Sequence, residues 1–200
     1  MKLIYSEASP YARKARAAAI ETGLADSIET EAINPWEDPA GYRDLNPVGK
    51  VPALIRDDGP PLYQSNIVCE YFDAHGTTKI YPDPGPPRWT AMRQLAAADG
   101  ILDASVHERM EMMFHEGDAA SQTFIDRQEL SVDQALDQLE AEAGDLDGPV
   151  TIGQVAGACA LGYRDFRFAD NDWRDGRPNL TAWFAEFSKR PSIENTRPDA

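Results

Sequence analysis

Asn46-Pro47-Val48-Gly49-Lys50-Val51-Pro52 runs straight into the apolar triplet Ala53-Leu54-Ile55, so Pro52 stands at the mouth of a strand. A proline removes a ladder donor and is poorly tolerated there unless its peptide bond is cis and marks a turn. A cis Val51–Pro52 bond would turn the Val51 N–H and C=O outward, free to pair with a peptide-like ligand as a strand would. An ordinary loop proline fits the spacing equally well, so the flanking pattern carries the argument. Upstream, Lys2 to Tyr5 reads as a strand, and Pro10 to Ile20 as an Ala- and Arg-rich helix stopped at Gly23. Ser27 to Ile33 alternates Ile28, Thr30 and Ala32 against Glu29 and Glu31, a strand with one solvated face. Downstream, Ala53–Ile55 and Leu62–Gln64 form a hairpin whose prolines lie in the connection. Ile67, Val68, Tyr71, Phe72 and His75 then recur at helical spacing up to Gly76. The order is βαβ then ββα, an α/β domain over residues 1–79.

Beyond it the character changes. Tyr81–Pro87 holds four prolines and a glycine, which marks residues 80–87 as a linker. From there to residue 200 strand signals vanish. Arg88 to about Glu116 is one long helical pattern, and Ser121 to about Ala143 is a second with Phe124, Leu130, Leu136 and Leu139 inside. Thr151 to about Phe168 is nearly uncharged and must be buried on most sides; Leu180 to Lys189 makes a short last helix. Residues 88–200 are therefore read as an all-α domain.

The 200 residues carry 34 Asp and Glu against 19 Lys and Arg, a formal charge of −15. That field disfavours polyanions, so neither nucleic acid nor an anionic membrane surface is expected as a partner. Cys69 and Cys159 lack CxxC partners, and His75, His107 and His115 lack ligand spacing, so no metal is expected. No signal, lipidation or membrane-spanning pattern is visible, and the expected location is cytoplasmic.

Two helix starts carry candidate chemistry. Ser9 precedes Pro10 at the cap position of the first helix, where a hydroxyl satisfies an orphan N–H. The same position, at the positive end of the helix, suits donation to a bound thiolate. Gln64-Ser65-Asn66 opens the next helix, either as a cap or, through its N–H groups, hydroxyl and amide, as a carboxylate site. Ser6 is a rival hydroxyl to Ser9. Met110, Met112, Met113 and Phe114 line either a pocket or the core. Cys69 reads as a core residue, and Arg13, Lys14 and Arg16 either as a local anion-favouring patch or as a solvated helix face.

The segments from Ser9 to Lys14, from Asn46 to Pro52 and from Gln64 to Phe72 resemble the cytosolic glutathione transferase superfamily. The stretches from Thr151 to Phe168 and Arg177 to Pro198 look like its bacterial, serine-type members. The resemblance covers nearly the whole chain. It implies a thioredoxin-like N-terminal domain that binds glutathione, an all-helical C-terminal domain that completes a second-substrate pocket, and a homodimer. By resemblance, Ser9 activates the glutathione thiol, in place of the cysteine of the reductase-like and omega-like classes. Val51, after which Pro52 is cis, would pair with the cysteinyl backbone. Gln64 and Ser65 would hold the γ-glutamyl carboxylate, Lys50 the glycine carboxylate, and Asp103 the γ-glutamyl amino group of the neighbouring subunit. Tyr11, Met110 and Met113 would line the second-substrate pocket. Two departures stand out. Gln64 replaces the commoner glutamate, and Gln154 replaces the aspartate of the usual capping box after Thr151, leaving a neutral box.

The implied activity is conjugation of glutathione to a hydrophobic electrophile, a detoxifying reaction, or its use to reduce a peroxide. The missing cysteine argues against deglutathionylation. The competing reading is a non-catalytic interaction module in which Ser9 is only a cap. Since glutathione is itself anionic, its site would need local cations, Lys50 with Arg13 or Arg16, against the global field.

Overall fold

The computed structural model describes residues 1–115 and 120–198. Leu3 and Ile4, buried on opposite faces of Lys2–Tyr5 (β1), make that strand the centre of a four-stranded sheet. Glu29–Ala32 (β2) pairs parallel with β1, Ala53–Arg56 (β3) antiparallel with β1, and Gly59–Tyr63 (β4) antiparallel with β3, giving the order β2-β1-β3-β4. The helices Pro10–Glu21 (α1), Tyr42–Leu45 (α2) and Ser65–His75 (α3) complete the thioredoxin-like arrangement.

Two local expectations fail at the sheet edges. All four β2 residues are exposed, so Thr30 and Ala32 do not face the core. The apolar flanks Ile28 and Ile33 turn inward instead, while Lys2 ties Glu31 at 2.5 Å and Glu29 at 3.3 Å. Pro60 and Pro61 lie inside β4 rather than in the connection. An edge strand tolerates them because one side of its ladder is unpaired.

Helix α1 is buried almost throughout. Ala12, Ala15, Ala17, Ala18 and Ala19 let it pack closely between α3 and the helical half of the molecule. Lys14 is fully buried, and Arg13 is 4% exposed. The solvated-face reading of this cluster is therefore wrong for both; only Arg16 stays partly open, paired with Glu7 at 2.8 Å.

The helical half comprises Pro86–Phe114 (α4), Gln122–Ala141 (α5), Ile152–Arg167 (α6), Pro178–Phe187 (α7) and the short Pro191–Glu194 (α8). Helix α4 starts two residues earlier than expected because proline suits the first helical positions. Its expected end at Glu116 lies outside the described residues. Within the expected linker, Ile80 and Tyr81 are buried and donate their N–H groups to Asp73 Oδ1 at 2.6 and 2.9 Å.

Helix α5 turns Val132, Leu136 and Leu139 inward, but Leu130 is 60% exposed and Phe124 also reaches solvent. Leu130 sits about half a turn around the helix from the 132/136/139 stripe, which is why its hydrophobicity misleads. Thr151 and Gln154 do form the neutral capping box: Thr151 N–H donates to Gln154 Oε1 at 2.7 Å, and Gln154 N–H to Thr151 Oγ at 3.5 Å.

Packing of α6 on α4 depends on Gly153. A Cβ there would stand 2.7 Å from the Ala91 carbonyl oxygen and 2.7 Å from Gln94 Cβ. Gly153→Ala is expected to destabilise the fold by about 1–3 kcal/mol; an unchanged urea midpoint would contradict this contact.

The α8 segment, unforeseen from the sequence, is pinned to the end of α1. Glu21 accepts from Arg190 at 2.8 and 2.9 Å and from Ser192 at 2.5 Å. Burial opposes ionisation of Glu21, but these bonds outweigh it and hold the carboxyl below its usual 4.5. A carboxyl depressed by folding stabilises above its unfolded pKa and loses that contribution as pH falls through the folded one. Glu21→Gln is expected to lower stability at neutral pH, with the gap to wild type narrowing below about pH 4.5. Denaturant midpoints across that range check the sign.

Candidate active site

Ser9 occupies the N-cap of α1 with φ −82° and ψ 116°, its Oγ accepting from Ala12 N–H at 3.2 Å. That bond uses an oxygen lone pair and leaves the hydroxyl proton free to donate. The cap and the thiolate roles are thus compatible on one side chain. Ser6 sits one turn back, accepting Ser9 N–H at its carbonyl at 3.1 Å. A narrow cavity beside Ser9 is lined by Glu7, Pro10, Arg13, Tyr163 and Pro198.

The loop before β3 is held from below. Tyr42 Oη donates to the Lys50 carbonyl at 2.7 Å, and Asn46 Nδ2 to the same oxygen at 2.5 Å. Asn46 Oδ1 accepts from Val48 N–H at 3.0 Å. The Val51–Pro52 bond is cis, and both residues are buried. Among the described residues, neither the N–H nor the C=O of Val51 has a hydrogen-bond partner. Paired backbone is the rule for buried segments, so an unpaired strand-like residue marks a docking edge. Lys50 projects its ammonium from this loop into solvent.

Gln64 adopts φ 74° and ψ 121°, a left-handed φ that costs a non-glycine residue energy and tends to persist at functional sites. Its Oε1 caps α3, accepting from Asn66 and Ile67 N–H at 2.7 and 3.2 Å. The Gln64 amide nitrogen, the Ser65 hydroxyl and the Ser65 N–H have no partner among the described residues. These donors surround the start of a helix, where an anion is favoured.

Asp103 lies on α4. Its Oδ1 accepts the hydroxyl of Tyr11 within the same chain. Burial, and then Asp103, pushes the Tyr11 phenol far above its usual range, so it stays neutral and donates. Asp99, one turn earlier on α4, is the acid that reaches α3. Asp99 Oδ2 accepts from Asn66 Nδ2 at 2.7 Å, and Lys14 Nζ bridges Asp99 Oδ1 at 2.5 Å and Asn66 Oδ1 at 2.6 Å. This part-buried triad ties α1, α3 and α4 together at Asn66, the residue after Ser65. The sequence offered no signal for it beyond three polar residues on separate helices.

Met110 is half-buried, whereas Met112, Met113 and Phe114 are exposed at the end of α4, so the core reading of these three fails. Phe114 tilts against Trp36 of the loop after β2, ring centroids 5.5 Å apart, although both are more than half exposed. Trp36, unremarked in the sequence, extends the apolar rim from one half of the molecule to the other. The cysteines are inert: burial pushes the Cys69 thiol up to about 12, and the Cys159 thiol is raised for the same reason. A cleft of about 780 Å³ lies elsewhere, between the end of α5, the start of α6 and α7, and takes in none of these residues.

Comparison with known proteins agrees with this geometry. Two family models match: glutathione S-transferase, N-terminal domain, over residues 8–75, and glutathione S-transferase, C-terminal domain, over residues 122–186. A glutathione transferase family member from Pseudomonas fluorescens Pf-5, solved with bound glutathione, is 38% identical. It superposes with a TM-score of 0.94, covering 100% of this chain and 99% of that one. A structure of a family member from the same organism with bound S-(propanoic acid)-glutathione is 37% identical, with a TM-score of 0.91 and 100% of both chains covered. The uncharacterized GST-like protein YibF of Escherichia coli (strain K12) is 29% identical over 204 residues, spanning 99% of this chain and 98% of that protein. With both halves matched and the fold shared from end to end, the chain belongs to the glutathione S-transferase family.

Proposed function

We propose that this protein is a glutathione transferase that binds glutathione, stabilises its thiolate through Ser9 and conjugates it to an electrophile with a hydrophobic part. The observation that carries this reading is the set of unpaired donors and acceptors along one edge: the Ser9 hydroxyl, the Val51 N–H and C=O, and the Gln64 and Ser65 donors. They match in kind what a thiol, a peptide backbone and a carboxylate require, and relatives of 37–38% identity hold glutathione or an S-substituted glutathione. Lys50 supplies a cation for the glycine carboxylate. Tyr11, Met110 and Met113, with Trp36 and Phe114, form the wall against which the electrophile lies. Residues 1–79 form the glutathione-binding domain and 88–200 the helical one. In the homodimer that the family implies, Asp103 turns its second oxygen toward the neighbouring subunit's glutathione while Tyr11 holds the first. A cytoplasmic setting, where glutathione is abundant, suits this chemistry. Peroxide reduction by the same thiolate is the variant reaction.

Retention on immobilised glutathione, followed by turnover of a panel of electrophiles and peroxides, tests the proposal. Retention with conjugation supports it. Retention without any turnover favours the interaction-module reading, and loss of retention overturns both.

A further inference from the structure

Residues 190–198 run back along α1, from its last turn to its first. At the far end Arg190 bonds Glu21 at 2.8 and 2.9 Å, and Ser192 bonds it at 2.5 Å. Just over two turns nearer the N-terminus, Arg13 Nη2 donates to the Ile193 carbonyl at 3.0 Å. At the near end Pro198 lines the narrow cavity beside Ser9, together with Glu7, Pro10, Arg13 and Tyr163. The segment thus spans the whole of α1, whose 12 residues are about 18 Å long. Four residues of α8 cannot hold a helix alone, and α8 draws its order from packing on α1 and α6. Ser192, Ile193 and Thr196 are buried, and Thr196 Oγ1 donates to the Ser192 carbonyl at 2.6 Å.

The seating of this strap is tight. Arg13 is buried, and a Cβ on Gly162 of α6 would stand 2.3 Å from its Nη1, so the side chain is wedged between α6 and the strap. One turn back, the Ser9 carbonyl accepts Arg13 N–H at 2.9 Å. The cavity left between Pro198 and the Ser9 turn is about 10 Å³, room for one water at most. Ser9 is half-buried and Pro10 is buried. The strap therefore ends against the same turn that presents the Ser9 hydroxyl.

We propose that Pro198 is a positioning residue for Ser9, held in place by a strap that Glu21 and Arg13 anchor, and that it keeps water from the flank of the Ser9 turn so that the hydroxyl donates to the glutathione sulfur. This rests on the glutathione transferase reading. A hydroxyl already bonded to water gains little by exchanging that bond for one to sulfur. A shielded hydroxyl gains more, because a hydrogen bond to a charged acceptor strengthens as the surrounding dielectric falls. Pro198 itself forms and breaks no bond in this reaction; it acts through Ser9.

The ultraviolet absorbance of glutathione bound to the full chain, read at the midpoint pH of the wild-type complex, tests this. Pro198→Gly is expected to lower the thiolate-to-thiol ratio about threefold to tenfold, a tenfold change being one pKa unit. Pro198→Val, which restores an apolar side chain against the turn, should keep the wild-type ratio. Glu21→Gln frees the far end of the strap, about 18 Å from Ser9 by the rise of α1, and should lower the ratio about twofold or more. A wild-type ratio in Pro198→Gly or in Glu21→Gln overturns the proposal. So does a loss in Pro198→Val as large as that in Pro198→Gly, or weaker glutathione binding with the ratio unchanged. If the wild-type protein does not bind glutathione, the transferase reading itself fails; if it binds glutathione as a thiolate that these variants leave untouched, only the strap proposal does.

Discussion

Ser9→Ala is expected to lower kcat/KM for glutathione conjugation by about 10²-fold or more, the scale on which removal of a single oxyanion donor acts. Two effects are combined in this substitution and are separable. The cap on Ala12 N–H is lost, which costs about 1 kcal/mol of stability. The hydroxyl proton is lost too, and with it the donor to sulfur. A Ser9→Asp variant restores the cap acceptor but places a carboxylate, which cannot donate, against the thiolate. If capping alone mattered, Ser9→Asp would recover both stability and activity. The account predicts recovered stability with activity at or below that of Ser9→Ala. Thermal melts and steady-state rates on the same preparations decide it.

Asp99→Ala is expected to be the most destabilising of the substitutions considered, by about 3–5 kcal/mol, because it leaves the fully buried Lys14 ammonium with only the Asn66 amide oxygen. For a chain of this size that corresponds to a fall of about 10 °C in melting temperature. Asn66 loses its acceptor at the same time, and Ser65 precedes it at the start of α3. KM for glutathione should therefore rise, about tenfold, more than kcat falls. The variant Lys14→Met/Asp99→Leu removes both charges and is expected to recover most of the stability while leaving the raised KM. An Asp99→Ala protein that melts with wild type would show that the triad does not hold the domains together.

The alternation of short strands and helices in the first 79 residues made the βαβ–ββα order legible, because α1 and α3 carry a helical pattern closed by Gly23 and Gly76, although the alternation of β2 and the prolines of β4 misled on which residues face the core. Pro52 alone left a cis turn and an ordinary loop proline equally open, the family resemblance implied cis, and the bond is cis. Ser9 and Gln64 were legible as helix starts. Their chemistry was not, since a cap and a ligand donor ask for the same residues.

What the sequence hid was long-range. Lys14 and Arg13 look like surface charges on an Ala-rich helix, and only the approach of α4, α6 and α8 buries them. Leu130 and Phe124 misled in the opposite direction, because their hydrophobicity was weighed without the helix phase that tertiary packing selects. Trp36 gained meaning only from Phe114, 78 residues away in the chain and on the facing half of the molecule.

The central claim is that Ser9 and the positive end of α1 hold glutathione as a thiolate. The ultraviolet absorbance of the thiolate in the binary complex, followed against pH, measures this without any second substrate. The account predicts a bound-thiol pKa well below the roughly 8.5 of an unperturbed thiol, rising back toward that value in Ser9→Ala. Bound glutathione that titrates near 8.5 in the wild-type protein, or a lowered value that Ser9→Ala leaves untouched, would contradict it.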